Sequence, residues 1–451
     1  MEFDFNKIND YSVEELLDYL KSGQVTFDDL QKCSLSWKKL ERVKNELNKL
    51  DSVSIPDIPL PDNSQLYADL FDDMRANKCE YSSHIMRLMF GISPSTEEMR
   101  ADDSPRGRFL KAGLHLNLEM LYDNGFLPER NHELEKAIFK NEIGIYGTHL
   151  EDYGEFPSGR TDLFCIGVPD SGKSCVLLGM LHSLFRQSEM RFVAFDDSIG
   201  NEESRRFYEA AIRFPYEYKP PCSDPIDYAK ILKLDIGPKL DREITVVDLS
   251  GEAYAHLSNG YPTREREGIT AYQCLGNNNP KILFFILDYN ILVGKSQCFS
   301  NNQQGMFLNN VLSILSSDGE GDGSKNCTMS KVQNVVVIVN KSDLMDAEKG
   351  RKMTLEERND LAFDFLHRYY ANFMNHLTNL CRKYGINSNN KNRYQPFFTT
   401  FSLGNFFLGN TFVFDETDSS RLARFLVEST QKRHGGLFRL FQNNLTHNKR
   451  Q

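Results

Sequence analysis

The sequence predicts a three-layer α/β domain with a mostly parallel sheet, preceded by a helical N-terminal region. Apolar, β-branched and aromatic runs recur between residues 163 and 401 and alternate with helical stretches. This pattern is typical of strands that are buried on both faces of a sheet. A turn with the sequence GVPDSGKS joins the first run to a helix. Sheets of this class bind phosphates at such a turn.

Six apolar runs of the main domain are predicted to be strands, at residues 163–166, 228–234, 243–248, 282–287, 335–340 and 397–401. A Gly-Pro turn at Gly237 and Pro238 is expected to join the second strand to the third. Residues 185–213 are predicted to form a polar, helical insertion, and residues 316–330 an exposed loop rich in Gly, Ser and Asp. The other predicted helices are residues 174–185, 306–315, 355–383, 419–430 and 436–443.

The N-terminal region is predicted to be helical. Ser12 and Glu15 form a capping-box pattern before a helix at residues 13–20. Residues 51–63 contain three prolines and indicate a linker. The remaining predicted helices are residues 26–30, 36–50, 66–74, 83–90, 107–122 and 133–139. The expected organisation is a small helical module at residues 1–50, a helical connector at residues 51–150 and a phosphate-binding domain at residues 151–451.

Composition excludes several classes of protein. The net charge of −10 does not favour nucleic acid as a partner. No apolar run is long enough for a transmembrane segment, and the acidic N-terminus is unlike a secretory signal. The nine cysteines include no C-x-x-C pair, which favours reduced cysteines in a cytoplasmic protein.

Residues 167–174 fit the phosphate-loop pattern G-x-x-x-x-G-K-[ST]. Glycines allow the backbone to turn tightly, so that successive N–H groups point at anionic oxygens. Lys173 is expected to reach the β- and γ-phosphates, and the Ser174 hydroxyl is expected to bind Mg²⁺. The residues expected to contact phosphate are Gly167, Pro169, Asp170, Ser171, Gly172, Lys173, Ser174 and Cys175.

A D-x-x-G pattern ends the third predicted strand, at Asp248 and Gly251. The Asp248 carboxylate is expected in the Mg²⁺ shell, and the Gly251 N–H near a γ-phosphate. A segment held in this way loses order when that phosphate leaves, which makes it a conformational switch.

An N-K-x-D pattern ends the fifth predicted strand, at Asn340, Lys341 and Asp343. Guanine presents two donors on one edge, and a single carboxylate, Asp343, can accept from both. The Lys341 stem can lie along the base, and Asn340 can tie this loop to the phosphate loop. Ser402 and Leu403 follow the last strand, where backbone N–H groups could contact guanine O6.

These motifs together resemble those of the P-loop GTPases of the Ras-like, translation-factor-related class, over residues 161–430. The segments DLFCIGVPDSGKSCVLL, VVDLSGE and IVNKSD also resemble bacterial double-GTPase families predicted for conflict and signalling systems. The resemblance implies GTP and GDP as ligands, Mg²⁺ as cofactor, and GTP hydrolysis that drives a conformational switch.

Two departures from this class concern hydrolysis. Glu252 follows Gly251, where many efficient GTPases carry a Gln that orients the attacking water. Lys173 and Glu252 are the expected catalytic residues, with slow intrinsic turnover. No switch threonine is evident, and Ser223 is the nearest candidate for a further metal ligand. No arginine finger can be assigned: Arg264 and Arg266 are candidates, but exposed charge is the favoured interpretation.

Three functions remain open from the sequence. The first is a GTP-hydrolysing switch in intracellular signalling or defence, with a protein partner bound by the helical N-terminal region. The second is a GTP-binding scaffold with little or no hydrolysis, whose helical N-terminus recruits partners. The third, an ATP-dependent kinase or ATPase, requires the N-K-S-D match to be accidental.

Overall fold

The computed structural model of the chain divides into two units, Met1–Gln65 and Leu66–Gln451. The structure describes residues 11–26, 30, 39–40, 42–43, 63–77, 81, 83–127, 130, 135, 138, 148–149, 153, 156–194, 199–214, 228–258, 274–296, 299–317, 327–388, 394–406, 408 and 412–430.

Eight described strands form one mixed sheet in the second unit, in the order β1-β4-β5-β2-β6-β7-β8, with β3 paired to β4. Strands β2, β5, β6, β7 and β8 run parallel, whereas β4 is antiparallel to β5, and β1 and β3 are antiparallel to β4. The strands are β1 (Thr148–His149), β2 (Thr161–Ile166), β3 (Met190–Phe192), β4 (Tyr228–Ile236), β5 (Arg242–Leu249), β6 (Lys281–Asp288), β7 (Val332–Asn340) and β8 (Phe397–Phe401).

The predicted fold class is confirmed, and all six predicted strands are present as β2, β4, β5, β6, β7 and β8. Gly237 adopts a φ of +92° in the turn between β4 and β5, a conformation that glycine reaches without strain. The sequence did not reveal β1 and β3, which are only two and three residues long. Such short segments carry too little periodicity to be recognised.

Helices surround the sheet and precede it. They are α1 (Val13–Lys21), α2 (Ser64–Ala76), α3 (Ser83–Met89), α4 (Glu97–Ala101), α5 (Pro105–Lys111), α6 (Leu118–Asp123), α7 (Lys173–Arg186), α8 (Ile199–Arg213), α9 (Gly251–Ser258), α10 (Tyr289–Leu292), α11 (Asn301–Ser316), α12 (Asp343–Lys349), α13 (Leu355–Tyr369), α14 (Ala371–Tyr384) and α15 (Glu416–Ser429). Within the described residues, no helix is both long and apolar enough to cross a membrane.

Two predicted helices are each divided in the structure. Residues 355–383 form α13 and α14, which are separated at Tyr370 with a non-helical φ of −125°. Residues 107–122 contribute to α5 and α6, with a turn between them. The predicted helix at residues 436–443 lies outside the described residues, as do most of those at residues 26–30, 36–50 and 133–139.

Apolar side chains fill both faces of the sheet and make the domain three-layered. Along β2, Leu163 and Cys165 enter one core, while Phe164 and Ile166 enter the other. Helices α7, α8 and α15 cover the first face, and α11 and α14 cover the second. Because both faces are covered, the central strands are apolar throughout rather than alternating.

A third core lies in the helical region before the sheet. Its residues come from α2, α3, α5 and α6, and it also includes Leu408, which is fully buried. Leu408 lies between two short antiparallel strands, β9 (Gly404–Phe406) and β10 (Phe412–Phe414). The segment that follows β8 therefore contributes a side chain to the core of the helical region.

The described part of the first unit contains α1. The Glu15 N–H donates to Ser12 Oγ at 3.1 Å, and the Ser12 N–H donates to Glu15 Oε2 at 2.6 Å. The predicted capping box is thus confirmed. Leu16 and Leu17 of this helix join a small apolar cluster with Val25, Leu30, Leu40 and Val43.

A buried ion pair joins the amino ends of two central strands. Asp162 of β2 lies opposite Lys281 of β6, with 3.6 Å between Asp162 Oδ2 and Lys281 Nζ, and neither side chain is exposed. The Asn277 and Asn279 amides also donate to the Asp162 carboxylate, at 2.8 and 3.0 Å. These hydrogen bonds offset part of the cost of burying the charge.

Removing the cation of this pair should destabilise the fold strongly. We expect Lys281→Met to lower the free energy of unfolding by about 3–5 kcal/mol, because Asp162 keeps its burial and loses its counter-charge. Lys295→Met is the matched control, since Lys295 pairs with Glu348 at 2.5 Å but is 59% exposed. That variant should lose less than about 1 kcal/mol in urea denaturation. Equal losses in the two variants would contradict this account.

Candidate functional site

The carboxyl ends of the parallel strands meet at one edge of the sheet. The phosphate-loop residues follow β2, and β2 lies between β5 and β6. β5 ends beside Asp248, β6 ends at Asp288, and β7 ends at Asn340. The sheet order therefore brings the three predicted motifs to a common edge, which is where open α/β sheets bind ligands.

The phosphate loop turns sharply at Gly172, which has a φ of +82° and precedes the first residue of α7. A Cβ at Gly172 would lie 2.2 Å from Asn340 Nδ2, and one at Gly167 would lie 2.4 Å from the Ile286 carbonyl oxygen. Neither position has room for a side chain. Glycine is therefore required at both positions because neighbouring atoms lie too close for a Cβ. At Gly172 the left-handed backbone conformation is a second reason.

Lys173 is folded over the phosphate loop and is 7% exposed. Its Nζ donates to the carbonyl oxygens of Gly167 and Val168, at 3.2 and 3.1 Å. Burial lowers the pKa of Lys173, while the Asp248 and Glu252 carboxylates oppose that shift. An ammonium held here by carbonyl groups is available to an anion that enters the loop.

Ser174 and Asp248 form a pair of oxygen ligands. Ser174 Oγ donates to Asp248 Oδ2 at 2.8 Å, and the other carboxylate oxygen, Oδ1, is buried with no hydrogen-bond partner in the structure. A hydroxyl and a carboxylate are the donors that Mg²⁺ prefers. A buried carboxylate oxygen without a partner leaves one acceptor of this pair unsatisfied. Ser223, the third predicted ligand, lies outside the described residues.

Lys230 also lies beside Asp248, and the sequence did not reveal this. It stands opposite Asp248 in the β4–β5 pairing, and its Nζ is 3.5 Å from Asp248 Oδ2. The only signal in the sequence was a lysine within the apolar run YAKILKL. A lysine in such a run requires a buried partner, but the sequence does not say which.

Gly251 and Glu252 begin α9, which is separated from β5 by Ser250. A Cβ at Gly251 would lie 2.3 Å from the Pro169 backbone nitrogen, so this glycine packs against the phosphate loop. Glu252 is partly exposed, and its charge acts on Lys173. The structure thus brings the D-x-x-G segment to the phosphate loop. Arg264 and Arg266 lie outside the described residues.

The N-K-x-D residues touch the phosphate loop through Asn340. Its Nδ2 donates to the Ser171 carbonyl oxygen at 2.8 Å in the protein interior. Lys341 has a φ of +64°, and its Nζ lies 2.6 Å from Asp288 Oδ2. Asp288 thereby fixes the direction of the Lys341 side chain, a role that the sequence did not reveal.

Asp343 and Ser402 lie next to each other across two loops. Ser402 Oγ donates to Asp343 Oδ1 at 3.1 Å, which leaves Oδ2 of that carboxylate without a hydrogen bond to this serine. Burial raises the pKa of Asp343 to about 6. Leu403 is buried beside Gly179 of α7. The hydrogen bond between Ser402 and Asp343 thus connects the two segments that are predicted to contact the base.

A buried cluster of charged side chains forms hydrogen bonds to both loops, at Ser342 and at Ser402. Asp418 of α15 accepts from the Ser402 N–H at 2.9 Å and pairs with Arg421 at 3.0 Å. Arg358 lies 3.5 Å from Asp418 and donates to Ser342 Oγ at 3.0 Å. These residues were not identified from the sequence, because each lies far along the chain from the loop that it holds.

Every predicted site residue within the described part of the chain lies at this edge of the sheet. Cys175 is partly buried in the first turn of α7. Asp170 adopts a φ of +59° within the loop. The individual roles assigned to these residues from the sequence stay predictions.

Comparisons with known proteins give matches among solved structures only. The sequence matches no protein-family model and no curated protein. A nucleolar GTP-binding protein 1 from Plasmodium falciparum is 14% identical and has a TM-score of 0.28, over 61% of this chain and 89% of that one. The signal recognition particle receptor SRb-GTP/SRX complex from Chaetomium thermophilum is 15% identical and has a TM-score of 0.32, over 60% of this chain and 99% of that one. These similarities are too low to transfer a property to this chain.

Proposed function

We propose that this protein binds GTP and GDP together with Mg²⁺ and hydrolyses GTP slowly as a molecular switch. The observation that carries the proposal is the hydrogen bond from Asn340 to the Ser171 carbonyl oxygen. It supports the proposal because it connects the phosphate loop to the loop that we propose reads the base. A phosphate site alone would leave ATP and GTP equally open.

Each end of the site has a distinct task in this proposal. Backbone N–H groups of the loop and the Lys173 ammonium hold the phosphates. Ser174 and Asp248 would hold Mg²⁺, which supplies charge stabilisation at the phosphates when bound. The Asp343 carboxylate accepts from the N1–H and the 2-amino group of guanine. Ser402 orients that carboxylate through its hydroxyl.

Slow hydrolysis is proposed because of Glu252. A carboxylate at this position can orient or deprotonate a water molecule, but its charge repels a γ-phosphate unless a cation compensates it. Lys173 is a cation on which the Glu252 charge acts. The alternative is a GTP-binding scaffold whose helical N-terminus recruits partners. Glu252 favours this alternative if Lys173 compensates its charge only in part.

The experiment that tests this function is nucleotide identification on the purified protein, followed by single-turnover hydrolysis of GTP. Guanine nucleotide in the protein and release of phosphate faster than from free GTP are the expected results. Equal affinity for GDP and ADP would rule out the guanine assignment. A hydrolysis rate equal to that of free GTP favours the scaffold. Faster hydrolysis in Glu252→Gln would show that the native site is slowed by its carboxylate.

Guanine recognition should weaken at acidic pH. The pKa of Asp343 is raised to about 6, so the carboxyl is protonated below that pH and no longer accepts from two donors. Adenosine diphosphate has the same phosphates as GDP but neither of the two base donors that Asp343 accepts from, so it controls for phosphate titration. We expect the preference for GDP over adenosine diphosphate to fall about tenfold between roughly pH 7.5 and pH 5. A constant ratio of the two dissociation constants would exclude Asp343 as the base acceptor.

The cellular setting is proposed from the resemblance of the motifs to bacterial conflict-system double GTPases. In that setting the protein acts in the cytoplasm in a signalling or defence system, and its helical N-terminal region binds a protein partner. Co-purification with and without residues 1–50 tests whether that module carries the interaction.

A further inference from the structure

A buried lysine, Lys230, lies beside the pair formed by Ser174 and Asp248. Asp248 Oδ2 accepts from Ser174 Oγ at 2.8 Å and also lies 3.5 Å from Lys230 Nζ. The side chains of Lys230 and Asp248 are each 2% exposed. The two residues face each other across the β4–β5 pairing, so the register of the sheet fixes their contact.

This position is costly for a lysine, because a buried ammonium loses its hydration. The Asp248 carboxylate and the face of the Phe207 ring, 6.0 Å from Lys230 Nζ, compensate for part of that loss. Asp248 also attracts the Lys173 ammonium. Asp248 is thus in direct contact with Lys230 and also attracts Lys173 electrostatically, at the place where Mg²⁺ is proposed to bind.

We propose that Lys230 supplies, from within the protein, part of the positive charge that Mg²⁺ supplies beside Asp248, so that GDP binding depends only weakly on Mg²⁺. This inference rests on the proposed function. Lys230 is a positioning residue, because it acts through the carboxylate of Asp248. It holds that carboxylate against Ser174 when no metal is bound, and its charge opposes the entry of a divalent cation.

The test is equilibrium binding of a fluorescent GDP analogue, in excess Mg²⁺ and in excess chelator. For the unaltered chain, we expect chelation to weaken binding by less than about fivefold. In Lys230→Met, chelation should reduce the affinity for the GDP analogue by a factor at least ten times larger than in the unaltered chain. The reason is that Asp248 keeps its charge without the internal cation. Lys230→Arg retains a cation and should keep the weak Mg²⁺ dependence. Lys233→Met, three residues further along β4 and therefore on the opposite face of the sheet, is the matched control and should keep the weak Mg²⁺ dependence.

Strong Mg²⁺ dependence in the unaltered chain would overturn the inference, and this result does not require any variant to fold. Equal Mg²⁺ dependence in the unaltered chain and a folded Lys230→Met protein would also overturn it. A failure of the proposed function is distinguishable, since the unaltered chain would then bind the GDP analogue neither with Mg²⁺ nor with chelator.

Discussion

Replacement of Lys173 by alanine should abolish tight nucleotide binding. A charge-assisted hydrogen bond is worth about 1.5–3 kcal/mol, so the loss of this ammonium should raise the dissociation constant for GDP about 10-fold to 150-fold. The carbonyl oxygens of Gly167 and Val168 would also lose their donor. Isothermal titration with GDP in the presence of Mg²⁺ measures the effect.

Lys349→Ala serves as the control for this variant, because Lys349 is an exposed lysine in the last turn of α12. Its affinity for GDP should equal that of the unaltered chain. If Lys173→Ala retains GDP within a few-fold, the phosphates do not bind at this loop.

Replacement of Asp343 by asparagine should change which base the protein prefers. The new amide offers one acceptor and one donor group in place of two acceptor oxygens, so it no longer matches the two adjacent donors of guanine. GDP affinity should fall on the order of 100-fold, while affinity for xanthosine diphosphate, which has a carbonyl in place of the 2-amino group, should rise. Competition between the two nucleotides for one site gives the ratio directly.

Asp360→Asn is the matched control for the base change, since Asp360 is an exposed carboxylate on α13. Its base preference should stay with guanine. An unchanged preference in Asp343→Asn would show that another group reads the base. Ser402 lies beside Asp343 and is the next residue to test.

Local motifs made most of the sheet predictable, and also the edge of the sheet at which the predicted site residues meet. The pattern of a strand, a glycine-containing turn and a lysine predicts a strand–loop–helix arrangement. The loop before α7 could therefore be placed from its sequence alone. The break at Tyr370 was not predictable in the same way, because the apolar periodicity continues through it. Tertiary packing decided that boundary, and local propensity did not.

Supporting residues were not predictable, because their partners are distant in the sequence. Lys230 meets Asp248 only because β4 returns antiparallel to β5. Asp418 meets Ser402 only when α15 packs against the sheet. The sequence shows that a charge is present, whereas the fold alone determines which opposite charge it meets.

The fully buried Leu408 has a consequence for how the chain can be divided. A fragment that begins at β1 would retain the nucleotide motifs but expose this side chain to water, and the separate helical region would be left with a gap in its core. Each fragment would therefore tend to aggregate. Although the motifs all lie after residue 160, the smallest independently folding piece that carries them should begin near α2. For heterologous expression, domain swaps or the search for relatives by architecture, we therefore expect the helices from α2 to α6 to be needed together with the domain that carries the predicted nucleotide motifs.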